Sequence, residues 1–165
     1  MDRKQRRQLS HLRTFGRARA VRWDRCKYDG NSNIHVTICA DRGAPFHERE
    51  LARLVCDSVE CCSKLREYRL YGFCLMPDHL HTLLSPGGSG VNLGQWLDSF
   101  KSFTFHEYVK LGGTAPLWQR SAHDHVCRDA ETAENVLRYI VNNPVRRGLA
   151  THWREWEWTR VFIEV

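Results

Sequence analysis

Two apolar runs that meet at a Pro-Asp turn constrain the fold of this chain most, because they predict a β-hairpin. The runs cover residues 69–76 and 79–85, and both have the length and the apolar content of buried strands. Side chains alternate between the two faces of a strand, so His79 and His81 share one face and Leu80 points to the other. A sheet with one covered face places an apolar residue such as Leu80 on that face. The pattern therefore predicts a sheet whose other face carries two neighbouring imidazoles.

Two imidazoles one residue apart on a strand form half of a metal site. A second pair with the same spacing, His123 and His125, has the charged Asp124 between its members. A carboxylate suits a covered sheet face less well than a leucine does. The alternative for either pair is an ordinary set of surface or hydrogen-bonded histidines. The context favours His79 and His81 as the metal ligands.

A helix predicted at residues 129–143 presents a tyrosine and an amide together. Tyr139 and Asn143 are four residues apart and therefore lie on the same helical face. Pro144 is expected to end this helix, and Gly148 to close the turn that follows. The alternative is an amphipathic helix with a half-buried tyrosine and a capping asparagine, which has no chemical role.

Periodicity predicts the remaining elements and the fold class. Strands are expected at residues 33–41 and 117–127 and from residues 155–158 onward, and long helices at residues 47–66 and 92–110. The order strand, helix, hairpin, helix, strand is that of an α+β ferredoxin-like sandwich. In that fold an antiparallel sheet has two long helices on one face, and the tyrosine-bearing helix follows near the C-terminus. The other face is left for a metal and a binding partner.

The charge of the chain is concentrated near its N-terminus. The net charge is +6, but residues 1–28 alone hold ten Lys or Arg against two Asp. Such a basic arm is typical of a segment that contacts phosphates, and a solubilising tail is the alternative. We therefore divide the chain into an arm, residues 1–28, and one domain, residues 29–165.

Other features exclude several classes of protein. No apolar run of 18 residues is present to span a membrane, and no apolar segment follows the basic start as in a signal peptide. The seven cysteines form an odd set without a Cys-x-x-Cys pair, which indicates reduced thiols in a cytoplasmic protein and argues against a zinc site. A DNA partner would place the protein at the nucleoid.

Four motifs in one order resemble the HUH single-strand DNA transposases with one catalytic tyrosine, and among them the REP-associated tyrosine transposases. They are Phe-x-x-Met-Pro-Asp-His-Leu-His at residues 73–81, Leu-Trp-Gln-Arg at 117–120, Asp-His-Val-x-Arg-Asp at 124–129 and Tyr-Ile-x-x-Asn-Pro-Val-Arg-x-Gly-Leu at 139–149. With the strand-like residues 33–42 and residues 100–104, the resemblance covers about residues 33–150. Four motifs together are far more specific than any one of them.

The resemblance implies a reaction and its residues. His79, His81 and Asn143 would hold a divalent metal, and Tyr139 would be the nucleophile that cleaves single-stranded or hairpin DNA. The products would be a 5′-phosphotyrosine and a free 3′-OH. Two imidazoles with oxygen donors suit Mn²⁺, and Mg²⁺ is abundant in cells, so either ion is expected, without a small-molecule cofactor.

The predicted partner is DNA, and no membrane is involved. Candidate phosphate contacts are Arg17, Arg19, Arg22, Lys101, Arg120, Arg146 and Arg147. Members of this family are monomers or homodimers, and both states remain open for this chain.

Two residues depart from the family pattern and keep alternatives open. Asp78 stands where the family often has Asn, and His123 where it usually has an aromatic residue. Because Asp78 adds a carboxylate beside the metal, a non-catalytic regulator that binds DNA hairpins is the second hypothesis. A metal phosphoesterase without a covalent step is the third, although the chain lacks the paired His-x-Ser/Thr motifs of two-histidine phosphoesterases. Tyr71 and Tyr108 are rival nucleophiles that look structural.

Overall fold

The computed structural model describes residues 32–88, 90–127 and 133–163. The predicted basic arm, with Arg17, Arg19 and Arg22, lies outside these residues. Within the described ranges, no helix has the length and apolar character that a membrane crossing requires.

The described residues form one antiparallel sheet with helices on both faces. Its strands and helices are β1 (Ile34–Cys39), α1 (Arg49–Leu65), β2 (Arg69–Met76), β3 (His79–Ser85), α2 (Leu93–Lys110), β4 (His123–Val126), α3 (Ala133–Val141), α4 (Asn143–Arg146) and β5 (Thr159–Val161). The strand order is β4-β1-β3-β2-β5, and every pairing is antiparallel. The predicted α+β sandwich is confirmed, with β5 added at the edge formed by β2.

The main core lies between the sheet and the two long helices. Leu80 and Leu84 of β3 pack there with residues of β1, β2, α1 and α2, including the fully buried Trp96 and Phe100. Helix α2 begins at a capping box, in which the Gln95 backbone N–H donates to the side chain of Asn92 and the Asn92 backbone N–H donates to the side chain of Gln95. Because this core holds one face of β3, the alternate residues of the strand are fixed on the other face.

Helix α3 covers part of that other face. Its buried residues Val136, Leu137, Ile140 and Val141 form a second cluster with Leu83 and with residues of β2. The expectation that this whole face stays free for a metal and DNA therefore needs correction, because the apolar stripe of α3 requires a partner. The helix packs on β2 and β3.

A glycine in β2 sets how closely α3 approaches the sheet. A Cβ atom at Gly72 would lie 2.7 Å from Leu137 Cδ1 of α3 and 2.8 Å from the carbonyl oxygen of Arg160 in β5. No side chain fits between these neighbours. Gly72 also lies at an irregularity of the β2–β3 pairing, a usual place for glycine in a strand. The residue thus allows helix and edge strand to pack against the same stretch of β2.

The end of the tyrosine helix differs from the prediction. Helix α3 ends at Val141, and Pro144 lies inside the next short helix, α4, rather than at the end of the first. Proline is well tolerated in the first turn of a helix, where its missing N–H would have no partner. Pro144 therefore starts a helix here instead of ending one. The predicted start at residue 129 falls outside the described residues.

Two predicted strands are shorter in the structure. Of residues 117–127, only β4 and an isolated bridge between Ala40 and Trp118 pair with the sheet. The segment between them is held by Lys101 instead, as described below. The last strand begins at Thr159, because residues before it form a 3₁₀ turn, Trp153–Glu155, in which the Glu155 carboxylate accepts from the backbone N–H of Thr151 and of His152.

Candidate active site

The imidazoles of His79 and His81 point their outer nitrogens at one another from the centre of the sheet. Both residues are 3% exposed. The two Nε2 atoms are 3.0 Å apart, and the rings are nearly perpendicular, at 89°. Histidine nitrogens bind metals at about 2.0–2.1 Å, so two of them at right angles around one ion are separated by about 3.0 Å. The spacing suits a divalent ion, and without one it allows a hydrogen bond between the two rings.

The inner nitrogen of His79 is held by the preceding residue. His79 Nδ1 lies 2.6 Å from Asp78 Oδ1. With the proton on Nδ1 donated to this carboxylate, the lone pair of Nε2 remains for a metal. Burial opposes ionisation of Asp78, but the hydrogen bond to His79 and the positive charge of Arg147 outweigh it and lower the pKa of the carboxyl. Asp78 thus lies behind His79, on the side away from the candidate metal position.

The inner nitrogen of His81 meets two side chains of β1. His81 Nδ1 is 3.0 Å from Thr37 Oγ1 and 3.1 Å from His35 Nε2. Burial, followed by the neighbouring His79 and His35, lowers the pKa of His81 well below its ordinary value. The ring is therefore neutral at pH 7, as a metal ligand must be. Sequence reasoning missed His35 and Thr37. The pairing of Thr37 with His81 in neighbouring strands is the signal that finds them.

Asn143 offers an amide oxygen from the start of α4. Its side chain is 8% exposed, and Nδ2 donates to the carbonyl oxygens of Tyr139 and Ile140, both at 3.0 Å. These bonds orient the amide and leave Oδ1 as the atom for a further ligand. Among the described residues, no group of three or more His, Cys, Asp and Glu side chains could hold a metal. The two imidazoles and the Asn143 amide oxygen are the candidate protein ligands, to which an ion could add water or phosphate.

Tyr139 is the exposed tyrosine beside this pair. It is 49% exposed. Its ring meets that of His35 edge to face, with centroids 6.1 Å apart, and the guanidinium of Arg146 lies 4.7 Å above it. The rivals are packed residues, since Tyr71 lies against the α3 cluster and Tyr108 against the main core. Only one side chain, that of His35, separates Tyr139 from a predicted metal ligand.

The predicted DNA contacts occupy different surroundings. Arg146 and Arg147 are exposed beside the site, and the charge of Arg147 acts on Asp78 and His81. Arg120 is exposed in the loop before β4.

Lys101 is engaged within the protein. Its Nζ donates to the carbonyl oxygens of Gln119, Arg120 and Ser121 at 2.9, 3.2 and 3.4 Å. Burial lowers the pKa of this ammonium group. Its contact with DNA stays a prediction, and in the structure it fixes the loop that precedes β4.

The second histidine pair lies on the same sheet face. In β4, His123 pairs with Thr37 and His125 with His35, and directly paired residues of antiparallel strands share a face. His125 is exposed and His123 is half-buried. The face around the candidate metal site is therefore lined with imidazoles as far as the edge of the sheet.

Proteins of known family resemble this chain in sequence. A Haemophilus influenzae protein assigned as a REP-associated tyrosine transposase is 26% identical over 108 residues, which cover 59% of this chain and 61% of that protein. The REP-associated tyrosine transposase of Escherichia coli K12 is 23% identical over 101 residues, 61% of this chain and 58% of the relative. The match thus spans about three fifths of the length of each.

Solved structures agree with the fold. A REP-associated tyrosine transposase bound to a REP hairpin superposes with a TM-score of 0.65 at 17% identity, covering 80% of this chain and 78% of the other. A Deinococcus radiodurans protein assigned as a transposase gives a TM-score of 0.50 at 18% identity, covering 67% and 88%. The sequence model of the IS200-like transposases matches residues 29–143, which include the histidine pair, Tyr139 and Asn143. The chain therefore belongs to the IS200-like transposase family.

Proposed function

We propose that this protein is a metal-dependent endonuclease and strand transferase that acts on single-stranded DNA at hairpins through Tyr139. One observation carries the proposal: an exposed tyrosine touches, through His35, a pair of buried imidazoles whose Nε2 atoms are 3.0 Å apart. A nucleophile and a metal-ligand pair on adjoining elements are the two parts that such a reaction needs.

The reaction is a transesterification at phosphorus. An ordinary phenol has a pKa of about 10 and is a poor nucleophile at neutral pH. As the Tyr139 oxygen bonds to the scissile phosphorus, the bond from phosphorus to the 3′ oxygen breaks, the phenol loses its proton and the 3′ oxygen gains one. The 5′ side of the break stays on Tyr139 as a phosphotyrosine. Because the phosphodiester energy is retained in that bond, attack by a 3′-OH rejoins a strand without ATP.

The residues present fit a divalent ion, with Mg²⁺ or Mn²⁺ held by His79, His81 and Asn143. When bound, the ion would polarise the scissile phosphate and hold it in line for attack. The protein itself holds the ligands in the required state: the Asp78 carboxylate accepts a hydrogen bond from His79 Nδ1–H, and the lowered pKa of His81 leaves its ring neutral. Neutral ligands do not cancel the charge of the ion, so its Lewis acidity is preserved.

The proposed partner is hairpin or single-stranded DNA. The structural relative is described as a REP-associated tyrosine transposase bound to a REP hairpin. In this chain, Arg146 and Arg147 supply exposed positive charge near the site, Arg120 is exposed in the loop before β4, and the arm of residues 1–28 adds ten basic residues. Phosphate contacts of this kind give most of the affinity for DNA. We expect the protein to act at the nucleoid in the cytoplasm.

The position of Asp78 supports the enzyme over the non-catalytic regulator. The carboxylate is hydrogen-bonded to the inner nitrogen of His79, so it leaves the facing Nε2 atoms undisturbed. A carboxylate behind a metal-ligating histidine is a common arrangement in active metal sites. The presence of Asp78, where the family often has Asn, is therefore compatible with catalytic turnover.

The experiment that tests the proposal replaces Tyr139 with Phe. Removing one oxygen from a half-exposed ring should leave folding and hairpin affinity near the wild-type values, while cleavage of hairpin DNA with Mn²⁺ falls to background on a denaturing gel. Mass spectrometry of the wild-type reaction should place a 5′-phosphorylated nucleotide on Tyr139. Tyr108→Phe is the matched control and should still cut. A Tyr139→Phe enzyme that cuts DNA, or an adduct on Tyr71 or Tyr108, would refute the assignment.

A further inference from the structure

The ring of Tyr139 is contacted by two side chains from different elements. We propose that His35 and Arg146 are positioning residues that hold this ring and direct its hydroxyl toward the His79–His81 pair. This inference rests on the proposed function. Arg146 lies over the ring face, and the rings of His35 and Tyr139 meet in a T-shaped arrangement. Each contact ties the tyrosine to a part of the molecule that is fixed for other reasons.

The need for these contacts follows from the exposure of Tyr139. A tyrosine on the surface of a short helix has part of its ring in water. Rotation about its two side-chain bonds is then not restricted on the solvent side. The neighbouring Val136, Leu137 and Ile140 are buried and hold α3 itself, but they do not fix the rotation of the tyrosine. Because in-line attack on phosphorus requires a defined approach, a loosely held phenol would lose most of the rate that orientation provides.

Arg146 supplies the contact on the ring face. It follows Tyr139 by two helical turns, in α4, so the break between α3 and α4 still leaves the two side chains on one side. The guanidinium carbon is 4.7 Å from the ring centroid, within the range in which a cation is attracted by the electrons of an aromatic face. A planar guanidinium covers the ring in a way that an ammonium group does not.

His35 supplies the second ring contact and the link to the histidine pair. It belongs to β1, a strand paired on both sides, with β3 and β4, and so has a rigid backbone. The ring meets Tyr139 at an interplanar angle of 68°, and its Nε2 lies 3.1 Å from His81 Nδ1. The His35 side chain thus contacts both the proposed nucleophile and a proposed metal ligand, and it fixes their relative positions.

Single-turnover cleavage of hairpin DNA at saturating DNA and Mn²⁺ separates orientation from binding. Arg146→Ala and His35→Ala should each cut about ten- to a hundredfold more slowly than wild type. Arg146→Lys should keep most of the DNA affinity but recover little of the rate. His35→Phe, which keeps an aromatic edge, should cut faster than His35→Ala. Arg138→Ala is the control: this exposed arginine precedes Tyr139, pairs with Glu134, and should cut at the wild-type rate.

A second measurement does not depend on cleavage. With 3-fluorotyrosine at position 139, the ¹⁹F resonance should shift in Arg146→Ala and in His35→Ala and stay in place in Arg138→Ala. The proposal would be overturned if Arg146→Ala and His35→Ala cut DNA at the rate of Arg138→Ala. It would also be overturned if neither variant shifted the ¹⁹F resonance. If Tyr139→Phe itself still cuts DNA, the proposed nucleophile fails instead, and the fluorine signal continues to report whether the two contacts exist.

Discussion

The buried histidine pair combines several features that suit a metal site. Two imidazoles with their inner nitrogens occupied by Asp78, Thr37 and His35 have their outer nitrogens turned to the same point. At 3% exposure, both residues are largely shielded from bulk solvent. A divalent ion would bind both outer nitrogens at once, and without an ion the 3.0 Å spacing allows a hydrogen bond between the two rings.

Replacing both His79 and His81 with Ala should abolish Mn²⁺ binding, measured by electron paramagnetic resonance, and cleavage with it. Affinity for hairpin DNA should largely survive, because phosphate contacts supply most of it. The double variant of His123 and His125 is a matched control on the same sheet face and should still bind Mn²⁺. Undiminished cleavage by the first variant would show that the metal site lies elsewhere.

Asp78→Ala should weaken Mn²⁺ binding by about ten- to a hundredfold, because His79 loses the acceptor that fixes its proton and its ring. Asp78→Asn keeps an acceptor oxygen and should bind the ion more tightly than Asp78→Ala. A Mn²⁺ titration of both variants measures the difference. Asp98→Ala, which removes an exposed carboxylate of α2, controls for the change in net charge. Equal affinity in wild type and Asp78→Ala would assign this carboxylate no part in the site.

The sequence predicts some of these residues better than others. His79, His81 and Tyr139 follow from local spacing, because strand alternation and helical periodicity place side chains without knowledge of the partner element. His35 and Thr37 require the register between β1 and β3, which a single sequence does not provide.

At the scale of elements, the docking of α3 on β2 and β3 decides where the tyrosine lies. Four buried residues of this helix form its contact with the sheet. The hairpin of β2 and β3 was predicted with its observed bounds, because two apolar runs and a Pro-Asp turn specify it locally. The edge strands were predicted less well, because side chains bind the nearby backbone and compete with strand pairing. Lys101 donates to the carbonyl oxygen of Gln119, and the Glu155 carboxylate accepts from the backbone N–H groups of Thr151 and His152.

Gly72→Ala tests this docking. A methyl group there meets Leu137 and the Arg160 carbonyl, so we expect a loss of unfolding free energy of about 1–3 kcal/mol, typical of overpacking. Cleavage should fall further than stability explains, because α3 must move. Urea denaturation and single-turnover cleavage measure the two effects. Gly88→Ala is the control, since a Cβ at that position meets nothing within 4 Å, and unchanged behaviour of Gly72→Ala would contradict the close approach.

At the scale of the whole molecule, positive charge is divided between the arm and the surface near Tyr139. The net charge of +6 understates the local density, because residues 1–28 carry ten basic side chains. Charge of this kind concentrates DNA near the protein and steers it over distances of about a Debye length.

Removing residues 1–25 should weaken binding to hairpin DNA and flatten its dependence on salt. Each lost phosphate contact lowers the slope of log K against log salt by about 0.7–0.9. Fluorescence anisotropy over a range of salt concentrations measures the slope. The triple variant of Arg17, Arg19 and Arg22 to Gln should reproduce part of the effect. A slope that does not change on truncation would exclude the arm from the DNA complex.

Helix α3 is joined to the sheet by packing and not by strand pairing, and this affects the temperature at which activity is lost. Strand β3, which carries the proposed metal ligands, is paired on both sides, whereas α3 is held to the sheet mainly by the packing of its four buried side chains. Segments with few buried contacts open well below the free energy of global unfolding. Tyr139, the proposed nucleophile, is therefore expected to separate from the histidine pair while the sheet stays intact. On heating, activity would be lost at a lower temperature than the one at which the sheet unfolds. Cooling from that lower temperature would restore activity without refolding of the sheet.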